Sequence, residues 1–210
     1  MTRSKTGWIL GLGIVAAIAL AAVVAISTTS DDSSAVPDNV EQTRTITVDG
    51  TPLPPLPDGP PDAIDDPAIG MTAPILTGQS FDGSAVSTAG DAARLLLFVA
   101  HWCSHCQREV PLLVDWAEGG GVPDGVEVRV ISTAVDPNAP NYPPSAWLAD
   151  ERVTWPVLAD GPNRTGASAM GLSGFPYFVL LRADNTVAWR GSGEMDPAVL
   201  GERITTLLNS

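Results

Sequence analysis

All the cysteines and histidines of this 210-residue chain fall inside one six-residue window: His101, Cys103, His105 and Cys106. Two cysteines two residues apart close too small a loop to stabilise a fold by chain entropy, so the Cys-x-x-Cys spacing points to reactivity rather than to stapling. The chemistry available to such a pair is thiol–disulfide exchange. One thiolate attacks a disulfide sulfur, and the second thiol resolves the mixed disulfide. That chemistry needs one activated sulfur and one held in reserve, and the flanking sequence supplies a means for both. Arg94 to Ala100 (RLLLFVA) is a continuous apolar run of the kind a strand buried on both faces shows. A helix is expected from about Ser104 to Glu118, broken or kinked near Pro111. A strand running straight into a helix places Cys103 at a helix N-terminus, where unpaired N–H groups and the helix dipole favour a thiolate. Cys106 then lies one turn in.

Alternative uses of the same residues divide on geometry. His101, Cys103, His105 and Cys106 are all able to bind soft or borderline metals, and a copper-binding or delivery protein is the reading of another class. Zinc sites, however, draw their ligands from separated segments, and four ligands within six residues across a strand-to-helix junction do not converge easily. No metal is therefore expected. For His105, next to Cys106, a cationic imidazole would favour the Cys103 thiolate and make the protein more oxidising. A solvent-exposed side chain with little effect is the alternative. For His101 a packing or surface role is favoured over catalysis. Gly119-Gly120-Gly121 is read as a helix end and loop, since no lysine follows as a phosphate cradle requires.

The elements around this window alternate strand and helix, which predicts an α/β sheet with helices on its faces. A hairpin is expected over Gln79–Val86, turning at Asp82-Gly83, followed by a strand at 126–135 and a short helix at 144–150 entered at proline. A brief strand over 155–158 and a helix over 164–170 come next. A second hairpin, over 177–182 and 186–190, turns around Asp184-Asn185. Asp196-Pro197 reads as an N-cap and first-turn proline opening a last helix to about Leu208.

Upstream of this domain, Trp8 to Ile26 is a run of 19 uncharged, mostly apolar residues. As a helix it spans roughly 28 Å at about 1.5 Å per residue, the thickness of a bilayer's hydrocarbon core. Arg3 and Lys5 precede it and acidic residues follow, so residues 1–7 are expected in the cytoplasm and everything beyond 26 outside. A signal peptide cleaved near Val23-Val24-Ala25 is the competing reading, and it too exports the rest of the chain. Residues 27–67 read as a Pro- and Asp-rich extracytoplasmic linker, and the folded domain is expected over 68–210. Pro52, Pro54, Pro55, Pro57, Pro60, Pro61 and Pro67 cannot sit in helix or central strand and imply an extended spacer. The formal net charge of −13, with 11 basic against 24 acidic residues, argues against nucleic acid as a partner.

Three motifs in order resemble the extracytoplasmic thioredoxin-like proteins of the TlpA/ResA kind, over about residues 68–208. They are Trp102-Cys103-Ser104-His105-Cys106 with Glu109-Val110-Pro111; Thr154-Trp155-Pro156-Val157-Leu158-Ala159-Asp160; and Gly171-Leu172-Ser173-Gly174-Phe175-Pro176. The resemblance implies a thioredoxin-like fold, a central mixed sheet flanked by helices, with Cys103 and Cys106 as the redox pair and Trp102, Ser104 and His105 as their neighbours. It implies a cis bond before Pro176, with Phe175 and Pro176 lying against Cys103 and meeting substrate. Glu109 matches a glutamate of that family proposed to assist proton movement. The buried aspartate that many thioredoxins carry six residues before the first cysteine is Leu97 here, which adds weight to Glu109. Implied partners are exported proteins with cysteines, apocytochrome c among them, and a membrane redox partner that recycles the pair, with no organic cofactor. Whole-domain resemblance favours a reductase. His105 is the one feature shared with the oxidant DsbA.

Overall fold

A computed structural model describes residues 40–59 and 65–209. The run Trp8–Ile26, the residues before it, and the first part of the expected linker lie outside these. Among the described residues, no helix is long and apolar enough to cross a membrane.

The apolar run at Arg94 forms strand β4 (Ala93–Val99), which has Arg94 and all that follow buried. It sits at the centre of a five-stranded sheet. On one side it pairs in parallel with β5 (Val126–Ser132), which pairs in parallel with β6 (Val157–Ala159). On the other side it pairs antiparallel with β7 (Tyr177–Leu181), which pairs antiparallel with β8 (Val187–Ser192). Successive side chains of a strand point to opposite faces. Leu95, Leu97 and Val99 therefore join one core, with Phe178 and Leu180, beneath helices α1 (Ser104–Glu118) and α4 (Pro197–Leu208). Leu96 and Phe98 join another, with Ile131, Val179 and Leu181, on the opposite face. Two covered faces explain why the sequence shows an unbroken apolar run rather than alternation. Helix α2 (Pro144–Asp150) contributes Trp147 and Leu148 to the first core, and α3 (Thr165–Ala169) contributes Ala167 and Ala169 to the second.

Two expectations change. Helix α1 continues through Pro111 without a break. The folded unit also starts well before the expected boundary at 68. Strand β1 (Thr47–Asp49) pairs antiparallel with β2 (Ile75–Gln79), and β2 with β3 (Ala85–Ser87), in a small second sheet. The proline segment that follows β1 is part of the second core, not a free spacer. In Pro52-Leu53-Pro54-Pro55-Leu56-Pro57, only the two leucines own an N–H. Leu53 donates to Ala169 O at 2.8 Å and Leu56 to Gly171 O at 2.9 Å, and both side chains are buried. A three-residue spacing matches the turn of an extended proline-rich chain, so both leucines face the same way. The prolines rule out helix and ladder, as expected, but not burial of the residues between them.

Arg190 of β8 fastens this segment. Its guanidinium is wholly buried and holds Asp66 through two hydrogen bonds, one from Nε at 2.9 Å, while Nη1 donates to Pro54 O at 2.8 Å and Met170 O at 3.1 Å. Gly171, at φ 73°, is the point of closest passage: a Cβ there would lie 2.3 Å from Pro54 O. Removing one partner of a buried ion pair leaves an uncompensated buried charge, so Asp66→Ala should lower the unfolding free energy by about 3–5 kcal/mol. Leu53→Ala should cost about 2–5 kcal/mol. Guanidinium denaturation checks both, and values near zero would show that the proline segment is not part of the cooperative unit.

Candidate active site

Strand β4 ends at Val99, and Ala100 to Trp102 turn the chain into α1. Cys103 takes the N-cap position of the helix: its N–H donates to Ala100 O at 3.0 Å, and its carbonyl accepts the helical bond from Gln107 N at 3.0 Å. The first-turn N–H groups have no partner within a helix and concentrate partial positive charge beside an N-cap side chain. The two thiols are free and differ in access: Cys103 is 8% exposed, whereas Cys106 is fully buried. Burial pushes the Cys106 thiol well above its usual range, and the nearby Cys103 and Glu109 push the same way.

Glu109, three residues further along α1, is itself only 2% exposed. Its Oε1 accepts one hydrogen bond, from Met195 N at 3.2 Å. Desolvation raises its carboxyl to about 7, with the neighbouring Glu194 and Asp196 adding to the rise and the Met195 N–H opposing it. The Glu109 side chain is thus turned into the protein and not toward the surface.

Exposed residues of the same helix form a surface cluster. His105 Nδ1 is 2.5 Å from Glu194 Oε1, and Arg108 binds the same carboxylate and reaches His105 Nδ1 at 2.9 Å. The Arg108 side chain, then His105, hold the Glu194 carboxyl below its ordinary value. Glu194 comes from the loop after β8, and no local sequence signal could have tied it to a helix 86 residues away. Ser104 is exposed beside the pair.

The Phe175–Pro176 bond is cis, as expected. Phe175 packs on the core cluster that contains both cysteines, and its ring meets Trp102 edge-on at 5.8 Å. Trp102, 39% exposed, donates its indole N–H to Ala134 O at 2.7 Å. The six-residue window is thus joined by Phe175, some seventy residues away, through Trp102. The His101 side chain is turned to the main chain of a neighbouring loop. It is fully buried and both ring nitrogens meet main-chain groups, Asp136 N at 3.1 Å and Pro140 O at 2.7 Å. Among the described residues, no group of three or more His, Cys, Asp or Glu is arranged to hold a metal ion.

The sequence profile of the Redoxin family matches residues 67–204. The chain belongs to the Redoxin family. Among curated proteins, none matches the chain. Solved structures do. StoA from Bacillus subtilis is 16% identical with a TM-score of 0.52, over 65% of this chain and 98% of that one. A putative thiol:disulfide interchange protein DsbE from Chlorobium tepidum is 20% identical with a TM-score of 0.55, over 67% and 97%. A secreted Mycobacterium tuberculosis disulfide oxidoreductase homologous to E. coli DsbE is 21% identical with a TM-score of 0.51, over 62% and 94%. At these identities the likeness establishes the thioredoxin-like fold. Family and fold together make this redoxin a thioredoxin-like oxidoreductase.

Because the Glu109 carboxyl is raised from 4.5 to about 7, it binds its proton more tightly in the folded than in the unfolded chain. Its contribution to stability is therefore full below about pH 4.5 and is lost as pH rises through about 7. Glu109→Gln should flatten the stability profile across that window, read as urea midpoints from pH 4 to 8. An unchanged slope would place the raised carboxyl elsewhere.

Proposed function

We propose that this redoxin is an extracytoplasmic thiol–disulfide reductase of exported proteins, acting through Cys103 and Cys106. The observation that carries this reading is the inequality of the two thiols, one at a helix N-cap near the surface and one buried beside a buried carboxyl. Cys103, as thiolate, attacks one sulfur of a substrate disulfide and expels the other as a thiolate, which takes up a proton. Glu109 accepts the Cys106 proton. The Cys106 thiolate then attacks Cys103 Sγ, forming the Cys103–Cys106 disulfide and releasing the second substrate thiol. Two electrons pass from the pair to the substrate, and the disulfide itself is the redox group, so no organic cofactor is needed. A carboxyl at about 7 is suited to both taking and returning that proton near neutrality. The cis bond at Pro176 and the Trp102–Phe175 pair support a substrate-facing role for Phe175 and Pro176, with Ser104 and His105 flanking the pair.

The direction rests on the surface cluster. A cation at His105 would favour the Cys103 thiolate and hence an oxidant, but the Glu194 carboxylate lies against the imidazole and offsets that charge. This supports reduction, with exported proteins such as apocytochrome c as substrates and a membrane redox partner restoring the dithiol. An N-terminal anchor at Trp8–Ile26, after Arg3 and Lys5, supports placement at the outer face of the cell membrane.

The DsbA-like alternative keeps one observation in its favour: Arg108, a second cation, stands in the same cluster. Equilibration of the full chain in detergent against glutathione or dithiothreitol separates the two. A potential near about −270 mV is expected of a reductase, and one near about −120 mV would make the protein an oxidant. Insulin-type disulfide reduction should be lost in Cys103→Ser. Retention of stoichiometric copper or zinc after dialysis, without disulfide reduction, would replace the enzyme with a metal carrier.

A further inference from the structure

His101 is a buried titratable side chain beside the redox pair that the exchange mechanism does not use. Its Nε2 meets the main-chain N–H of Asp136, which can only donate, so Nε2 accepts; Nδ1 then carries the proton and donates to Pro140 O. The ring is thus a neutral brace between two points of one loop. That loop, residues 133–143, joins β5 to α2 and makes two more bonds to the same spot. Asn141 Nδ2 donates to the His101 carbonyl at 3.3 Å, and Ala134 accepts the Trp102 indole N–H at 2.7 Å.

The loop needs such bracing. Ala134 and Asn141 hold φ of 52° and 59°, a region that side-chain-bearing residues populate sparingly, and one that persists where surrounding contacts enforce it. What the brace holds up is Tyr142. Its ring lies edge-on to His101, two residues before Cys103, at 6.0 Å and is 45% exposed; Trp102, whose indole bonds to the same loop at Ala134, is partly exposed too and meets Phe175 edge-on. Large aromatic rings left partly in water next to a reactive pair are suited to an extended polypeptide carrying apolar side chains beside its cysteine. A disulfide too small to reach beyond Cys103 gains nothing from them.

We infer that His101 is a positioning residue: it fastens the 133–143 loop so that Tyr142 extends the exchange site into a rim selecting polypeptide over small-molecule disulfides. This rests on the thiol-exchange reading above. It is tested with the full chain in detergent, pre-reduced and freed of reductant, by stopped-flow tryptophan fluorescence. Second-order rate constants for oxidation by insulin and by bis(2-hydroxyethyl) disulfide are compared. In each case two electrons and two protons leave the thiol pair and reduce one disulfide to two thiols. The ratio of the insulin to the small-disulfide rate constant should fall about ten-fold in His101→Phe and in Tyr142→Ala. His101→Asn, whose amide can still donate to Pro140 O, should fall between wild type and His101→Phe. Tyr142 is exposed, so its variant reports even if His101→Phe does not fold. An unchanged ratio in Tyr142→Ala overturns the inference while leaving the exchange chemistry standing. A wild-type protein that reacts with neither disulfide overturns the exchange reading itself, and the rim with it.

Discussion

Burial of the Cys106 thiol together with the Glu109 carboxyl is the constraint on which the rest of the site depends. Both side chains stand on the inner face of α1, pressed toward the sheet, with almost no access to water. Desolvation disfavours the charged form of each, so the inner thiol stays protonated and the carboxyl titrates near neutrality. The outer sulfur, at the helix N-cap, is the one of the pair that keeps some access to water. The asymmetry is a consequence of packing: β4 fixes where α1 begins, and α1's apolar face fixes which cysteine turns inward.

Long-range tethers then set the surroundings of that pair. The Glu194 carboxylate reaches α1 from the loop after β8 and meets His105 and Arg108. The 133–143 loop reaches the His101-Trp102 pair from the end of β5. On the other face of the sheet, the proline segment is bonded to Ala169 and Gly171, at the start of the stretch that leads to Phe175 and Pro176. Each tether is a hydrogen bond or ion pair between segments distant in sequence, so the geometry beside the cysteines is held by the tertiary fold more than by the motif itself.

That division explains what the sequence showed. The strand, the cysteine pair and the helix that follows are contiguous, and their signals are local: an apolar run, a Cys-x-x-Cys, a helical stretch. The hairpins at Asp82-Gly83 and Asp184-Asn185 and the Asp196 cap are local too, and the structure has all three. Glu109 was legible as a candidate from its place after Cys106, but its burial depends on what packs over α1. The prolines of the segment exclude ladder pairing and so suggest a spacer. Burial of Leu53 and Leu56 depends on a face, built from α3 and β7, that lies far downstream. Asp66 and Arg190, like Glu194 and its partners, are charges whose pairing no sequence spacing reports.

Trapping of the mixed disulfide tests the division of labour between the two sulfurs most directly. The full chain carrying Cys106→Ser and the full chain carrying Cys103→Ser are each incubated with a disulfide-bonded protein substrate, and covalent adducts are resolved on non-reducing gels. The account predicts that Cys106→Ser accumulates a reducible adduct through Cys103 and that Cys103→Ser accumulates none. An adduct formed equally well through Cys106 would contradict it, because a thiol held out of water beside Glu109 could not then be the inner, resolving sulfur.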